Sequence, residues 1–110
     1  MEKHIVELVV YKIKSEETEK YTTEIINSFR KLVMSFDGFI SYHFFQNCQD
    51  SQMFMDFVLW DSLENAELAA KKVKEIQKGD DFKDYLKSFD KVEIFNHFKP
   101  INHWTNQNSK

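Results

Sequence analysis

The sequence predicts an α+β domain in which four antiparallel strands form one sheet and the helices cover one of its faces. Three observations lead to this prediction. Four segments alternate their side chains with the two-residue period of a strand, two longer segments carry apolar residues at helical spacing, and short polar connections separate them. The resulting order, β-α-β-β-α-β, is that of the ferredoxin-like split βαβ fold.

Strand boundaries follow from the turn residues that flank each alternating segment. The predicted strands occupy residues 4–14, 39–46, 52–60 and 91–99. Gly38 precedes the second strand, and the polar run 47–51 joins the second and third strands as an antiparallel hairpin. Pro100 ends the fourth strand because proline lacks the N–H that a strand would donate. We therefore expect one domain over residues 1–100 and a polar tail over residues 101–110.

The helices are recognised by their caps and apolar stripes. Ser15 is the expected N-cap of a first helix over residues 16–35, whose stripe is Tyr21, Ile25, Phe29, Leu32, Val33 and Phe36. Asp61 or Ser62 caps the second helix, and Glu64 is placed to complete a capping box on Asp61. The stripe of this helix is small, with Ala66, Ala70 and Val73, so it can leave space beside a sheet. A third, short helix is expected behind Asp80, carrying Phe82, Tyr85, Leu86 and Phe89.

The strands are apolar on both faces. On the first strand, Glu7, Val9 and Tyr11 share one face, while Leu8 and its neighbours share the other. Alternation places Phe39 with Ser41, His43 and Phe45 on the second strand, and Val92 with Ile94 and Phe98 on the fourth. Helices can cover only one face, and a large exposed apolar face is unusual in a monomer. A second copy of the sheet is the simplest cover, so we expect a homodimer, built as a dimeric α/β barrel.

Composition excludes several classes of function. The chain has 110 residues, a net charge of -3, two Gly, one Pro and one Cys. The acidic balance argues against nucleic acid and anionic membranes as partners, and no apolar run approaches the length of a membrane span. The histidines lack metal-ligand spacing, and no phosphate-binding or dinucleotide glycine motif is present. We therefore expect no cofactor and no metal. We also expect a cytoplasmic location, because Cys48 has no intrachain partner with which to form a disulfide.

Several motifs resemble one family. Asp37-Gly38-Phe39, the strand from Phe54 to Trp60, and the following Ser62-Leu63-Glu64-Asn65-Ala66 are similar to those of the antibiotic biosynthesis monooxygenase (ABM) family of the dimeric α/β-barrel superfamily. The resemblance covers residues 5–98. It implies the ferredoxin-like fold and a homodimer. It leaves the chemistry open, because this superfamily holds oxygenases, haem-degrading enzymes, isomerases and proteins without a demonstrated reaction.

The resemblance also implies a site. Trp60 matches the family tryptophan, and Asp56 stands four residues earlier on the same strand face, where active oxygenases of the family tend to carry Asn. Asp56 can act as a base toward a phenol if an apolar pocket raises its pKa; the alternative is a capped or salt-bridged strand carboxylate. The second helix has no His soon after the Trp, which argues against haem degradation.

Further candidates come from the strands. His43 or Asp56 is the expected proton acceptor, with Trp60 and Phe54 as walls. Tyr42, His97 and Asn96 are further candidate substrate-binding residues, although a lone strand His or a buried Tyr is more often structural. His43 and His97 are expected on non-neighbouring strands.

The function predicted from these features is a cofactor-independent monooxygenase of small aromatic substrates of phenolic or quinol type. Such a substrate is deprotonated and its carbanion passes an electron to dioxygen, while the protein supplies orientation and a proton acceptor. The alternative is a non-catalytic, small-ligand-binding or stress-associated dimer of the same fold, with its cavity filled by Phe and Met or binding ligands without oxygen use. A third possibility is an interaction module whose tail, with Trp104, reaches over the partner subunit.

Overall fold

The computed structural model describes residues 4–106 and shows one four-stranded antiparallel sheet. The strands are β1 (Ile5–Ile13), β2 (Phe39–Gln46), β3 (Met53–Trp60) and β4 (Phe89–Phe98). Their order across the sheet is β2-β3-β1-β4, so β2 and β4 are the two edges. The α+β ferredoxin-like fold predicted from the sequence is confirmed. The last part of the predicted tail, residues 107–110, lies outside the described residues.

The helical segments lie on one face of this sheet. They are α1 (Thr18–Lys20), α2 (Ile26–Met34), α3 (Leu63–Ile76) and α4 (Lys83–Ser88), with a π-helical turn (Tyr21–Ile25) between α1 and α2 and 3₁₀ turns at Ser15–Glu17 and Asp80–Phe82. Two clusters of buried side chains lie between the helices and the sheet. One surrounds Tyr11, Tyr21 and Phe54, and the other surrounds Val33, Trp60 and Ala66. No helix among residues 4–106 is long and apolar enough to cross a membrane.

The first predicted helix is interrupted by its π-helical turn. Tyr21 and Ile25 are both buried, and the next residue, Ile26, is buried as well. The wider turn changes the side of the helix that faces the sheet, so that all three side chains reach the core. Thr22 and Thr23 meanwhile bond back to the carbonyl oxygen of Glu19. The uninterrupted helix expected over residues 16–35 is therefore wrong at this turn.

The predicted caps are partly wrong. Ser62, in extended conformation, is the N-cap of α3, and its Oγ accepts the backbone N–H of Asn65. Asp61 lies one residue too early to cap and accepts the Asn65 side-chain amide instead, so the capping box with Glu64 does not form. Ser15 and Asp80 already lie inside 3₁₀ turns that follow extended Lys14 and Gly79, and neither side chain caps a helix.

Two register shifts correct the predicted strand faces. A shift between Phe39 and Ser41 places Phe39 opposite Trp60, against which its ring packs at 6.0 Å on the helix side. A shift between Val10 and Tyr11 in the β1–β4 pairing brings Val92 opposite Tyr11, on the helix side rather than beside Ile94. A bulge adds one residue to a strand and so reverses the alternation beyond it. Phe89, expected at the end of the short helix, is the first residue of β4.

The opposite side of the sheet carries no helix among residues 4–106. This helix-free face is apolar along β1 and β3 and at the sheet edges, with Val6, Leu8, Val10, Met53, Met55, Phe57, Leu59, Phe45, Ile94 and Phe98. Phe45, Ile94 and Phe98 are each at least 40% exposed. The structure thus retains the two apolar sheet faces that the sequence predicted, with only one of them covered.

Candidate functional site

A cavity of about 720 Å³ lies between the sheet and the helices. Its floor is formed by the helix side of β1 and β3, and its walls come from α2, α3, α4 and the edge strand β4. Ala69, Ala70 and Val73 line it from α3, and these short side chains leave the space between helix and sheet open. The lining is mostly apolar, and no Met between residues 4 and 106 is part of it. The cavity is therefore open rather than filled by the protein's own Phe and Met side chains.

Asp56 lies on the floor of this cavity and is held by two tyrosines. Tyr11 donates its hydroxyl to Oδ1 at 2.7 Å, and Tyr42 donates its hydroxyl to Oδ2 at 2.6 Å. Tyr21, at the start of the π-helical turn, donates in turn to the Tyr11 hydroxyl at 2.8 Å. Asp56 is 4% exposed, and neither a salt bridge nor a helix cap involves it among the described residues. The group is thus a buried acid in a tyrosine network.

The surroundings of Asp56 set its proton affinity. Burial raises its pKa to about 6, and the two tyrosine hydroxyls oppose this by stabilising the carboxylate, while the Glu7 charge raises it further. Burial and the nearby carboxylate likewise raise the pKa of Tyr42 well above its ordinary value. The tyrosines therefore remain neutral donors, whereas Asp56 can take or release a proton near neutral pH.

Trp60 closes the same strand and forms a wall of the cavity. Its side chain is 1% exposed, and the indole Nε1 is a buried donor without a hydrogen-bond partner among the described residues. The indole also helps to lower the pKa of the nearby Glu7 carboxyl, against the larger effect of burial. A buried unpaired donor carries a desolvation cost. An acceptor atom of a ligand in the cavity would remove that cost.

Glu7 and His97 form the second polar group of the site. They face each other on β1 and β4, and Glu7 Oε1 lies 3.2 Å from His97 Nε2. Burial raises the pKa of Glu7, and His97 opposes this through its charge and its hydrogen bond. Glu7 lines the cavity directly, while His97 reaches it through Glu7.

The structure brings together only some of the predicted site residues. Asp56, Trp60 and Tyr42 line the cavity. Phe54 lies deeper, stacked against Tyr11 and Phe44, and does not line it.

Two other candidates lie on the helix-free face, away from the cavity. His43 is exposed there, where its ring contacts Phe45 and Phe57. Asn96 is exposed opposite Leu8. Strand alternation sends both side chains to that face.

Sequence reasoning missed Glu7 as a site residue. Its placement on the face of Val9 and Tyr11 was the available signal, because a charged side chain in an otherwise apolar face is costly unless it has a partner. Lys71 and Lys74, two exposed residues of α3, also border the cavity. Among residues 4–106, no group of three acidic, His or Cys side chains could hold a metal ion.

The fold and the site together define a ferredoxin-like α+β domain with a largely apolar helix–sheet cavity, which is lined by the buried carboxyl group of Asp56 and the partly exposed one of Glu7. No family model matches the chain, and no curated protein matches it by sequence. Solved structures do match it.

The structural matches include several proteins named for one activity. A putative antibiotic biosynthesis monooxygenase from Bordetella bronchiseptica shares 14% identity over 91% of this chain and 99% of its own, with a TM-score of 0.68. A putative monooxygenase from Shewanella loihica shares 12% identity over 92% of this chain and 97% of its own, with a TM-score of 0.69. A variant of SnoaB, a cofactor-independent oxygenase from Streptomyces nogalater, shares 8% identity over 94% and 98%, with a TM-score of 0.66. The chain has the fold of these structures, one of which is named a putative ABM protein, so the resemblance seen in the sequence is confirmed at the level of the fold.

Proposed function

We propose that this chain is a cofactor-independent monooxygenase of small aromatic substrates of phenolic or quinol type, and that the substrate binds in the helix–sheet cavity. The single observation that carries the proposal is a buried acid, Asp56, whose pKa is raised to about 6 inside a largely apolar cavity. A base with a pKa close to the working pH is the most effective proton acceptor. The fold shared with SnoaB, named as a cofactor-independent oxygenase, supports the same chemistry.

In this proposal the substrate supplies the electrons and the cavity supplies the proton acceptor. Asp56 uses two of its roughly four acceptor positions for Tyr11 and Tyr42, which leaves capacity for a substrate proton. The deprotonated substrate transfers one electron to dioxygen, and the two radicals then combine to form a carbon–oxygen bond. Trp60 Nε1, a buried donor with no partner in the described part of the chain, binds the substrate's carbonyl or phenolate oxygen.

The second part of the proposal is a homodimer. A second copy covers the helix-free face, because burying an apolar side chain of the size of Phe or Leu contributes roughly 1.5–3 kcal/mol and this face carries several. Two sheets related by a two-fold axis would enclose these side chains in one barrel. The expected location is the cytoplasm.

Oxygen consumption tests the proposed activity. Anthrone- and quinol-type compounds should support oxygen uptake by the wild-type protein, and Asp56→Ala should lower the rate at least about 100-fold, because a positioned general base contributes roughly that factor or more. Trp60→Phe should weaken substrate binding and slow uptake. Glu67→Ala, on the exposed side of α3, is the matched control and should leave the rate unchanged. Binding of these compounds without any oxygen uptake would favour the non-catalytic ligand-binding protein instead.

A further inference from the structure

The cavity contains a second acid–base group besides Asp56. Glu7 and His97 are 90 residues apart in the chain and are brought together because β1 pairs with β4. Their side chains are 14% and 16% exposed, so both are mostly withdrawn from water. Because the hydrogen bond joins an acid and an imidazole, the two groups form one coupled proton-binding unit.

The two residues of the unit differ in their access to the cavity. Glu7 lines the cavity, whereas His97 lies behind it and is stacked edge-on against Phe95 at 5.8 Å. A proton shared by the unit can reside on the carboxyl with neutral imidazole, or on the imidazole beside a carboxylate. In both protonation forms, the Glu7 carboxyl is the group that can exchange a proton with a molecule bound in the cavity.

The charged and titratable groups around Glu7 come from every neighbouring element. β3 contributes Asp56, which is diagonal to Glu7 across the β1–β3 pairing, and α4 contributes Tyr85. Lys71 and Lys74 of α3 border the mouth of the same cavity. Asp56 and Glu7 repel each other when both are ionised, which favours a state in which only one carries a negative charge.

We propose that Glu7 is a second catalytic proton donor and acceptor of this cavity and that His97 is the positioning residue that holds Glu7 and shares its proton. This inference rests on the proposed oxygenase function and assigns the two proton transfers that follow the reaction with dioxygen. Its geometric basis is that Asp56 and Glu7, the latter hydrogen-bonded to His97, line the same cavity together with Trp60, whose indole N–H has no partner among residues 4–106.

The proposed steps balance for a substrate methylene flanked by two aryl groups. The Asp56 carboxylate removes one C–H proton, and the carbanion reacts with dioxygen to give a carbon-bound peroxide anion. The Glu7–His97 unit donates its proton to this anion, which forms the hydroperoxide. The unit then removes the remaining C–H proton, the electrons of that bond form the C=O bond, and the O–O bond breaks. The departing hydroxide takes the proton held by Asp56 and leaves as water, so both units return to their starting state.

Product analysis separates the role of Glu7 from that of Asp56. With anthrone as the probe, Glu7→Gln should still consume oxygen, but the rate of ketone formation should fall at least about 100-fold and the carbon-bound peroxide should accumulate. Glu67→Gln, exposed on α3, is the matched control and should form ketone at the wild-type rate. Thermal unfolding verifies that Glu7→Gln is folded, and His97→Asn provides the same product test if it is not.

A titration independent of turnover tests the link between the two residues. His97 lowers the pKa of Glu7, so His97→Asn should raise that pKa when the Glu7 carboxyl carbon is followed by NMR against pH. His103→Asn in the exposed segment after β4 is the control and should leave the titration unchanged.

The outcomes distinguish this proposal from the function on which it rests. Ketone formed at the wild-type rate by Glu7→Gln, while Asp56→Ala is inactive, would overturn the role of Glu7 and leave the oxygenase function standing. An unchanged Glu7 titration in His97→Asn would overturn the role of His97. A wild-type protein that consumes no oxygen with anthrone would overturn both the oxygenase function and the proposed proton transfers.

Discussion

At the scale of single residues, the site depends on one acid, Asp56, that is buried with uncharged partners. Asp56 is surrounded by hydroxyl donors rather than by a cation, so burial outweighs stabilisation of the carboxylate and its pKa rises. Asp50, which accepts from Lys12 at 2.9 Å on the surface, shows the opposite direction: its pKa is lowered by that lysine. The two aspartates therefore differ in proton affinity because of their partners, and only Asp56 is suited to proton transfer near neutral pH.

The raised pKa of Asp56 predicts a specific pH dependence of stability. Because the folded state holds this proton more tightly than the unfolded state, the stabilising contribution is complete below the ordinary pKa near 3.8 and is lost as the pH rises through about 6. An asparagine at this position does not titrate, so the stability of Asp56→Asn does not lose this contribution as the pH rises. The free energy of unfolding of the variant, relative to wild type, should therefore rise by about 2 kcal/mol between pH 4 and pH 7, because one pKa unit corresponds to about 1.4 kcal/mol and part of the contribution is already lost at pH 4.

Urea unfolding of both proteins at a series of pH values measures this difference. Asp50→Asn is the control, and its trend should have the opposite sign, because the pKa of Asp50 is lowered by folding. A relative stability of Asp56→Asn that stays constant or falls with increasing pH would contradict the assignment.

At the scale of elements, the connection between α2 and β2 positions the Trp60 end of the cavity. Gly38 has φ of +86°, which glycine adopts readily and other residues do not. Its carbonyl oxygen accepts the backbone N–H of Asp61 at 2.8 Å, which ties the start of β2 to the end of β3 directly after Trp60. A tight turn here holds α2, β3 and the start of α3 together.

Replacing Gly38 should therefore destabilise the fold. A Cβ at this position would lie 2.5 Å from Asp61 Oδ1 and 2.6 Å from Asn65 Nδ2, and the left-handed backbone costs about 1–3 kcal/mol for a residue with a side chain. Gly38→Ala should lower the free energy of unfolding by at least that amount. Gly79→Ala is the control: Gly79 has a negative φ and only one close neighbour, the Ile76 carbonyl oxygen at 3.3 Å. Equal losses for the two variants in denaturant unfolding would contradict the role of the turn.

At the scale of the whole molecule, the sheet has one covered and one uncovered apolar face. The covered face encloses the cavity, and the helix-free face carries the side chains assigned above to a dimer interface. Phe57 lies near the centre of that face, opposite Leu8 on β1 and His43 on β2. Large apolar surfaces of this kind mark interaction sites in soluble proteins.

The proposed dimer predicts a change in assembly when one charge is introduced at its interface. Phe57→Lys places an ammonium group in the centre of the interface, where an unpaired charge is costly to bury, so the protein should sediment as a monomer while wild type sediments as a dimer at micromolar concentration. Leu68→Lys, on the exposed side of α3, should remain dimeric. Analytical ultracentrifugation measures this directly, and a compact wild-type monomer at that concentration would refute the dimer.

The sequence by itself determined the order of the elements, the division of β1 and β3 into two apolar faces, and the placement of Asp56 and Trp60 on one of them. These features depend on local periodicity and on short-range capping, and both patterns are visible within a single segment of the sequence. It did not determine the bulges that move Phe39 and Val92, or the π-helical turn that brings Tyr21 to the core.

Only the tertiary structure decided which polar groups meet. The Tyr11–Asp56 contact spans 45 residues and the Glu7–His97 contact spans 90, and both depend on the register between strands that are distant in the chain. A register shift of one residue would send each partner to the other face of the sheet. The site therefore arises from strand pairing, whereas the fold that carries it follows from local sequence patterns.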